Sequence, residues 1–388
     1  SSHTSPFGSA TRLRRMSSRL TVRGLSVGSF NRQRWVHRTD TRERHDAIRS
    51  FSKMDLVFAY LETDEGVSGL GFTYSTNRFG AREICSLINE GIAGLVRGMD
   101  PHHNERIWQQ MWRSMDWVGR GGVVPLAIAA TDIAVWDLKS KLSGMSLHKL
   151  LGGCRDRVPV YSTDGGWLNH TLDQLVDETK EIIARGFRGT KIKVGKDDPM
   201  EDLERIAAVK ESAGRSLPLM VDANERFTHA EAIRRARMWE GFDLFWFEEP
   251  CPAEDLFGHT KLKAHTSTPI ALGESLFNKQ QFQNYIAVDG VSIVQPDACR
   301  CGGVTEWLKI AHLAETHHIQ VSPHFVMELH LPLVAAIPNG LFVEYIPALD
   351  DVLEEPLKLD DGYLRPRDEL GLGIRWDFGR LNSYRTGP

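Results

Sequence analysis

LMVD at residues 219–222, LFWFE at 244–248 and IALGE at 270–274 repeat one pattern, an apolar run that ends in an acid. Both intervals between the acids are 26 residues long. Amphipathic segments of helical character separate the runs. Short apolar strands that alternate with helices are typical of a parallel sheet, so this part of the chain predicts βα units.

The same alternation continues on both sides of these runs. Eight strands are predicted at Val158–Tyr161, Lys191–Val194, Leu219–Val221, Leu244–Phe247, Ile270–Leu272, Val291–Val294, Ile319–Val321 and Leu341–Val343. Thr171-x-x-Gln174 is a capping box that begins one of the helices, and Asp198-Pro199 begins the next. We therefore predict an α/β fold, a (β/α)₈-type barrel over residues 151–354 with an incomplete last unit.

The chain before the barrel follows another pattern. Apolar runs at 56–61 and 66–72 flank the acidic turn Asp64-Glu65-Gly66 and predict a hairpin, and an unusually apolar stretch at 126–136 predicts a buried helix. Residues 20–150 are thus expected to form an α+β capping domain. The polar segment 355–388 does not continue the repeat and is expected to return to the capping domain.

Composition limits the class of protein. The 388 residues are 41% hydrophobic and 25% charged, with a formal net charge of −4, which gives no basic field for nucleic acid. No apolar run approaches the roughly 18 residues of a membrane helix. Five cysteines without a C-x-x-C pair favour a reducing cytoplasm over a disulfide scaffold. Residues 1–19, rich in Ser and Arg, are interpreted as a disordered or vector-derived tail, with a transit-like leader as the alternative.

The acids Asp222, Glu248 and Glu274 end consecutive predicted strands. In such a barrel every strand's carboxyl end opens onto the same mouth, so the three carboxylates are expected at one level. Unpaired carboxylates at close range repel one another, and a hard divalent cation removes that cost. The sequence therefore predicts a site for Mg²⁺, with Mn²⁺ as a substitute. A single acid after a strand is more often a helix cap, and the regular spacing of three favours the metal.

Ionisable residues also end the remaining strands. Lys191 and Lys193 lie two apart on one strand and point to one side. His324 follows the seventh strand, and Asp297, after the sixth, is placed to orient its imidazole. Glu344 follows the eighth strand, either as a substrate contact or as an ordinary salt-bridged residue. A second lysine and a metal nearby predict a lowered pKa for the lysine base.

These residues suggest proton abstraction next to a carboxylate. Lys193 and His324 would act as bases on two faces of a carboxylate substrate, while Lys191 and the metal stabilise the enediolate that forms. Loss of a β-hydroxyl then gives dehydration, and return of a proton to the other face gives racemisation or epimerisation. A barrel that only binds a metal or ligand remains a third hypothesis, although it would need neither base.

The strand-end motifs resemble those of the enolase superfamily, in its mandelate racemase subgroup. The matching motifs are Thr190-Lys191-Ile192-Lys193, Val221-Asp222-Ala223-Asn224, Phe247-Glu248-Glu249-Pro250, Gly273-Glu274, Gln295-Pro296-Asp297, Gly302-Gly303 and Ser322-Pro323-His324. The His–Asp pair favours this subgroup over the muconate cycloisomerases. The resemblance implies that Asn224, Lys191 and Glu344 contact substrate, and that the protein is a homo-oligomer.

Within the subgroup, the segments Tyr161–Gly166 and Gly71–Ser75 are most similar to the dehydratases of L-talarate and galactarate. We therefore expect a small-molecule acid sugar as the partner of the site, with no nucleic acid or membrane. The chain departs from those enzymes at residues 25–53, where Trp35, His37, Arg42, Arg44 and Asp46 stand. This segment of the cap is expected to decide which acid is accepted.

Overall fold

The computed structural model describes residues 22–32, 44–51, 54–77, 79–214 and 217–384. The predicted tail at residues 1–19 lies outside the described residues, as do Trp35, His37 and Arg42.

A three-stranded antiparallel sheet and a group of helices make up the first part of the described chain. The strands are β1 (Val22–Arg32), β2 (Arg44–His45), β3 (Ser50–Phe51), β4 (Met54–Thr63) and β5 (Ser68–Thr76). The helices are α1 (Ala81–Ser86), α2 (Ala93–Val96) after a π-helical turn at Leu87–Ile92, α3 (Asn104–Ser114), α4 (Val123–Leu142) and α5 (Leu147–Leu150). The sheet order is β1-β4-β5, while β2 and β3 pair with each other. The antiparallel pairing of β4 with β5 confirms the predicted hairpin.

Helix α4 lies buried against this sheet. Its apolar residues face all directions, which is typical of a helix enclosed by other elements. Gly71 of β5 permits the close approach, because a Cβ atom there would lie 2.1 Å from the carbonyl oxygen of Ala130. The buried helix predicted at 126–136 is therefore confirmed as the central part of α4.

Eight parallel strands form the second part. They are β6 (Val158–Ser162), β7 (Thr190–Lys193), β8 (Leu219–Asp222), β9 (Trp246–Glu248), β10 (Ile270–Leu272), β11 (Ile293–Val294), β12 (Gln320–Val321) and β13 (Val343–Tyr345). The connecting helices are α6 (Leu172–Ala184), α7 (Pro199–Ala213), α8 (His229–Trp239), α9 (Leu256–Lys263), α10 (Lys279–Ala287), α11 (Val304–Thr316) and α12 (Met327–Ala336).

The strand order shows that the sheet curls into a barrel. It runs β12-β11-β10-β9-β8-β7-β6-β13, so the first and last strands of the repeat are neighbours. A parallel bridge between Val321 and Gly340 joins β12 to the segment that leads into β13. A short 3₁₀ turn, Asp350–Val352, follows β13 in place of a full helix. The predicted barrel and its incomplete last unit are confirmed.

Local signals in the sequence set where the barrel helices begin. Thr171 and Gln174 form the predicted capping box at α6. Asp198 accepts a hydrogen bond from the Met200 amide ahead of α7. Inside the barrel, Tyr161 meets Trp246 edge to face with ring centroids 5.2 Å apart, as part of the apolar filling beneath the mouth.

The C-terminal segment contacts both parts of the chain. Its strand β14 (Tyr363–Leu364) pairs antiparallel with β6, and its last helix is α13 (Phe378–Ser383). The Leu372 amide donates to Asp137 of α4 at 2.9 Å. The ring of Trp376 packs at 4.8 Å from that of Phe58 in the capping sheet. These contacts support a return to the capping part, and the domain boundaries given above stay predictions.

Within the described residues, no helix is both long and apolar enough to cross a membrane.

Candidate active site

The register of the parallel strands brings the strand-end residues to one level. Lys193 is paired with Asp222 between β7 and β8, and Asp222 with Glu248 between β8 and β9. Glu248 is in turn level with Ala271 of β10, three residues before Glu274. Because the strands are parallel and in register, these side chains meet at the carboxyl end of the barrel.

The three predicted metal ligands converge there. Oxygen atoms of Asp222, Glu248 and Glu274 all lie within 4.8 Å of one another. Asp222 and Glu248 are fully buried, whereas Glu274 is partly exposed towards the mouth. Three carboxylates with oxygen donors alone fit a hard divalent cation such as Mg²⁺.

The pKa values of two of these acids are shifted in opposite directions. Burial, with the charge of Asp222, raises the pKa of Glu248 to about 8. Burial opposes ionisation of Asp222 as well, yet Lys193 and Lys191 hold its pKa well below the usual range. A divalent cation would favour the charged form of all three acids.

Lys191 is surrounded by carboxylates. Its Nζ atom lies 2.6 Å from Glu248 Oε1, 2.9 Å from Glu344 Oε1 and 3.4 Å from Asp222 Oδ2. Burial alone would lower the pKa of Lys191, but these charges raise it well above the ordinary value. The side chain is therefore a fixed cation at the centre of the acidic group.

Lys193 occupies a different position on the same strand. Its Nζ atom donates to Asp222 Oδ2 at 2.6 Å and lies 5.6 Å from the centroid of the Trp167 ring. Burial lowers the pKa of Lys193, and the Asp222 carboxylate outweighs that effect, so the pKa is raised. The predicted lowering counted a metal ion as well as Lys191, and among the protein groups alone the ion pair with Asp222 acts in the opposite direction.

His324 and Asp297 form the expected pair on the other side of the mouth. The Nδ1 atom of His324 lies 3.0 Å from Asp297 Oδ2, and its Nε2 atom lies 3.5 Å from Glu274 Oε2. Burial lowers the pKa of the imidazole, whereas the carboxylates of Glu274 and Asp297 raise it, and the net direction is upward. The imidazole thus faces Asp297 with Nδ1 and the three clustered acids with Nε2.

Glu344 and Asn224 also line the site. Glu344 accepts hydrogen bonds from Thr163 Oγ1 at 2.6 Å and from the Phe325 amide at 2.7 Å. Although burial opposes it, Lys191 lowers the pKa of Glu344 to about 2. Asn224 adopts a left-handed backbone conformation with φ 44°, and its buried Oδ1 has no hydrogen-bond partner among the described residues.

The described part of the cap segment covers one side of this mouth. The His45 carbonyl accepts from the Leu168 amide at 2.9 Å, and Arg44 pairs with Asp164 at 2.7 Å. A Cβ atom on Gly195 would lie 2.6 Å from that of Ala47, so the segment packs directly on the loop after β7. Two of the unusual cap residues, Arg44 and Asp46, therefore lie in the segment that borders the site.

Several polar contacts escaped the sequence analysis. Trp246 Nε1 and Gln295 Nε2 donate to Glu248 Oε2 at 2.9 and 2.7 Å. His330, to which no role was assigned, accepts from the Ala298 amide at 2.9 Å and supports the loop after β11. Tyr74 of the cap donates to Asp297 at 2.5 Å. The Gln295-Pro296-Asp297 motif could have pointed to Gln295, but nothing local marks the others.

The fold and the site together define a capped barrel whose mouth holds three clustered carboxylates, with Lys193 beside Asp222 and His324 beside Glu274. The profile described as mandelate racemase/muconate lactonizing enzyme, N-terminal domain, matches residues 33–152. The profile described as enolase C-terminal domain-like matches residues 174–380. The chain belongs to the mandelate racemase/muconate lactonizing enzyme family of the enolase superfamily.

Relatives of known activity lie within this family. The L-talarate/galactarate dehydratase of Salmonella typhimurium is 39% identical over 84% of this chain and 81% of its own. The 3,6-anhydro-alpha-L-galactonate cycloisomerase of Streptomyces coelicolor is 36% identical over 89% of this chain and 95% of its own. A crystal structure of the Salmonella dehydratase with Mg and L-lyxarohydroxamate superposes with a TM-score of 0.89, at 33% identity, covering 100% of this chain and 98% of that chain. The predicted superfamily is confirmed.

Proposed function

We propose that this chain is an acid-sugar dehydratase, which removes the α-proton of a sugar acid and eliminates water from the β-carbon to give a 2-keto-3-deoxy acid. The observation that carries the proposal is the placement of Lys193 beside Asp222 and of His324 beside Glu274, so that these two side chains flank the three clustered acids. The 39% sequence identity to the L-talarate/galactarate dehydratase supports this reaction over others of the family.

Asp222, Glu248 and Glu274 would hold Mg²⁺, and Mn²⁺ could replace it. When bound, the ion would supply positive charge opposite the substrate carboxylate. The chain itself contributes Lys191, whose ammonium group is fixed among the acids and faces the charge that builds as the proton leaves.

Proton transfer is assigned to two groups of the chain. Lys193 takes or returns a proton at one face of the α-carbon, and His324 acts at the other face, oriented by Asp297. One of them abstracts the proton and the other protonates the departing hydroxyl. The buried Oδ1 of Asn224 and the carboxylate of Glu344 are assigned to bind substrate hydroxyl groups.

An epimerase or racemase is the second candidate. The same two groups on two faces would also allow a proton to leave one face and return to the other, and a cycloisomerase is among the relatives. A barrel that only binds ligands is disfavoured, because it has no use for both bases.

We further propose a cytoplasmic homo-oligomer, which the family resemblance and the free cysteines support. Light scattering would measure the subunit number.

A substrate screen tests the reaction. Diacid and monoacid sugars are incubated with the protein and Mg²⁺ in D₂O, and both 2-keto acid formation and α-deuterium incorporation are followed. Keto acid indicates dehydration, and exchange without loss of water indicates epimerisation. No exchange and no product over a broad panel would contradict an enzyme of either kind.

Variants link the result to the site. Lys193→Ala and His324→Asn are each expected to lower turnover by about 10²–10⁴-fold, the usual contribution of a general acid or base. Lys196→Ala and His312→Asn are matched controls, because Lys196 pairs with Glu201 outside the acidic group and His312 is exposed on α11. Full activity in either site variant would contradict that residue's role.

A further inference from the structure

Tyr74 belongs to the capping sheet, yet its hydroxyl reaches the acid–base pair of the barrel. The hydroxyl donates to Asp297 Oδ2 at 2.5 Å and lies 3.4 Å from His324 Nδ1. Tyr74 is 4% exposed and Asp297 is fully buried, so water does not compete for this bond. The proposed reaction assigns Tyr74 no role.

The contacts of Asp297 show what this hydroxyl does. Oδ1 accepts the Cys299 amide at 2.8 Å, while Oδ2 is shared between the Tyr74 hydroxyl and His324 Nδ1, which lies at 3.0 Å. An ionised carboxylate only accepts hydrogen bonds, so Nδ1 carries the hydrogen of that contact. The other ring nitrogen, Nε2, is then left to face Glu274 and the site. Tyr74 thereby fixes the oxygen on which the imidazole is oriented.

Tyr74 is itself held firmly. Its ring packs edge to face against Phe325, the neighbour of His324, with centroids 5.0 Å apart. The adjacent Thr73 donates through Oγ1 to the Cys299 carbonyl at 2.7 Å. Strand β5 is thus fastened to the loop after β11 by two hydroxyl groups, of which Tyr74 alone touches the acid–base pair.

We propose that Tyr74 is a positioning residue for His324, supplied by the cap, which fixes the plane of the imidazole by holding Asp297 Oδ2 in place. The proposal rests on the proposed function for its kinetic consequence. Lys193 is positioned separately by Asp222, so loss of the Tyr74 hydroxyl weakens proton transfer on the His324 face and spares the Lys193 face. The cap therefore supplies a residue that orients His324, which is one of the two proposed bases.

Deuterium exchange at each face tests this difference. Lys193→Ala leaves His324 as the remaining base, and His324→Asn leaves Lys193. Tyr74→Phe is added to each background, and α-deuterium incorporation into galactarate and L-talarate is measured in D₂O with Mg²⁺. Tyr74→Phe is expected to lower exchange on the order of 10- to 100-fold in the Lys193→Ala background, the usual effect of losing an orienting partner. In the His324→Asn background it should stay within about twofold.

Thr73→Val is the matched control, because it removes the other hydroxyl of the strand and keeps the Tyr74 bond. It is expected to change exchange by less than about threefold in both backgrounds. An equal fall in both backgrounds with Tyr74→Phe would show that Tyr74 only holds the strand in place and would overturn the proposal. Unchanged exchange in the Lys193→Ala background would overturn it too.

An NMR spectrum tests the role of Tyr74 without any need for turnover. In protein labelled with ¹⁵N-histidine, the resonances of His324 are assigned by their loss in His324→Asn. Tyr74→Phe is expected to move the Nδ1 resonance at unchanged pH, because Asp297 Oδ2 then accepts a hydrogen bond from Nδ1 alone, and Thr73→Val is expected to leave it. An unchanged Tyr74→Phe spectrum would overturn the proposal. Inactivity of the unmodified protein on every acid sugar would instead contradict the proposed dehydratase function. The NMR spectrum would still test whether Tyr74 orients His324.

Discussion

Asp132 of helix α4 caps the start of barrel helix α11 through Thr305. Its Oδ2 atom accepts the Thr305 amide at 2.9 Å, and its Oδ1 atom accepts the Thr305 hydroxyl at 2.7 Å. The indole of Trp136 donates to the same hydroxyl at 2.8 Å. One side chain of the barrel thus satisfies two side chains of the cap, at a helix end whose amides need partners.

Thr305→Val is expected to lower the free energy of unfolding by about 1–3 kcal/mol, because it leaves buried polar groups of Asp132 and Trp136 without a partner. Urea unfolding followed by fluorescence measures the change. Thr316→Val, which removes an exposed hydroxyl of the same helix, serves as the control and should stay within about 0.5 kcal/mol. Equal stability of both variants would show that the contact between cap and barrel contributes little.

Glu274→Gln is expected to weaken Mg²⁺ binding at least about tenfold, since affinity for a hard cation follows the number of charged oxygen ligands. Isothermal titration calorimetry with MgCl₂ measures it. Removal of one of three clustered carboxylates also relieves repulsion, so stability without added Mg²⁺ should be unchanged or higher. Glu254→Gln alters an exposed acid and should bind Mg²⁺ as the unmodified protein does. Unweakened binding by Glu274→Gln would remove this residue from the metal site.

The convergence of the three acids at one mouth could be predicted because the βα repeat is regular. Each repeat carries its strand-end residue to the same mouth, so Asp222, Glu248 and Glu274 could be grouped from spacing alone. The contact between Tyr74 and Asp297 could not, since it joins residues 223 apart in sequence and depends on how the cap sits on the barrel. The ion pair between Lys193 and Asp222, which raises the pKa of Lys193, could not be predicted either, because it depends on side-chain geometry that spacing does not contain.

Lys191→Met is expected to destabilise the protein by about 3–5 kcal/mol, because it removes the central cation and leaves buried carboxylates uncompensated. Chemical denaturation at pH 7.5 measures the loss. Added Mg²⁺ should recover part of it, since a ligand that binds only the folded state stabilises that state. Lys180→Met changes an exposed lysine and should cost less than about 1 kcal/mol. A loss below that of the control would mean that the acids do not need this lysine for folding.

Glu328 of helix α12 makes stability depend on pH. Both of its carboxylate oxygens are buried without a hydrogen-bond partner among the described residues, and burial raises its pKa from 4.5 to about 8. Between these two values the folded protein keeps a proton that the unfolded chain releases, so this group's contribution to stability falls as pH rises from about 4.5 to about 8. Above pH 8 the loss is complete and constant.

Glu328→Gln cannot ionise and should remove this slope, so we expect it to match the unmodified protein near pH 5 and to exceed its stability by roughly 2–4 kcal/mol at pH 8. Urea unfolding at pH 5, 6.5 and 8 measures the difference between the two proteins. Glu181→Gln, at an exposed position of α6, corrects for the general effect of losing a charge and should give no such divergence. Parallel stability curves for Glu328→Gln and the unmodified protein would show that Glu328 ionises in the folded state as it does in the unfolded chain.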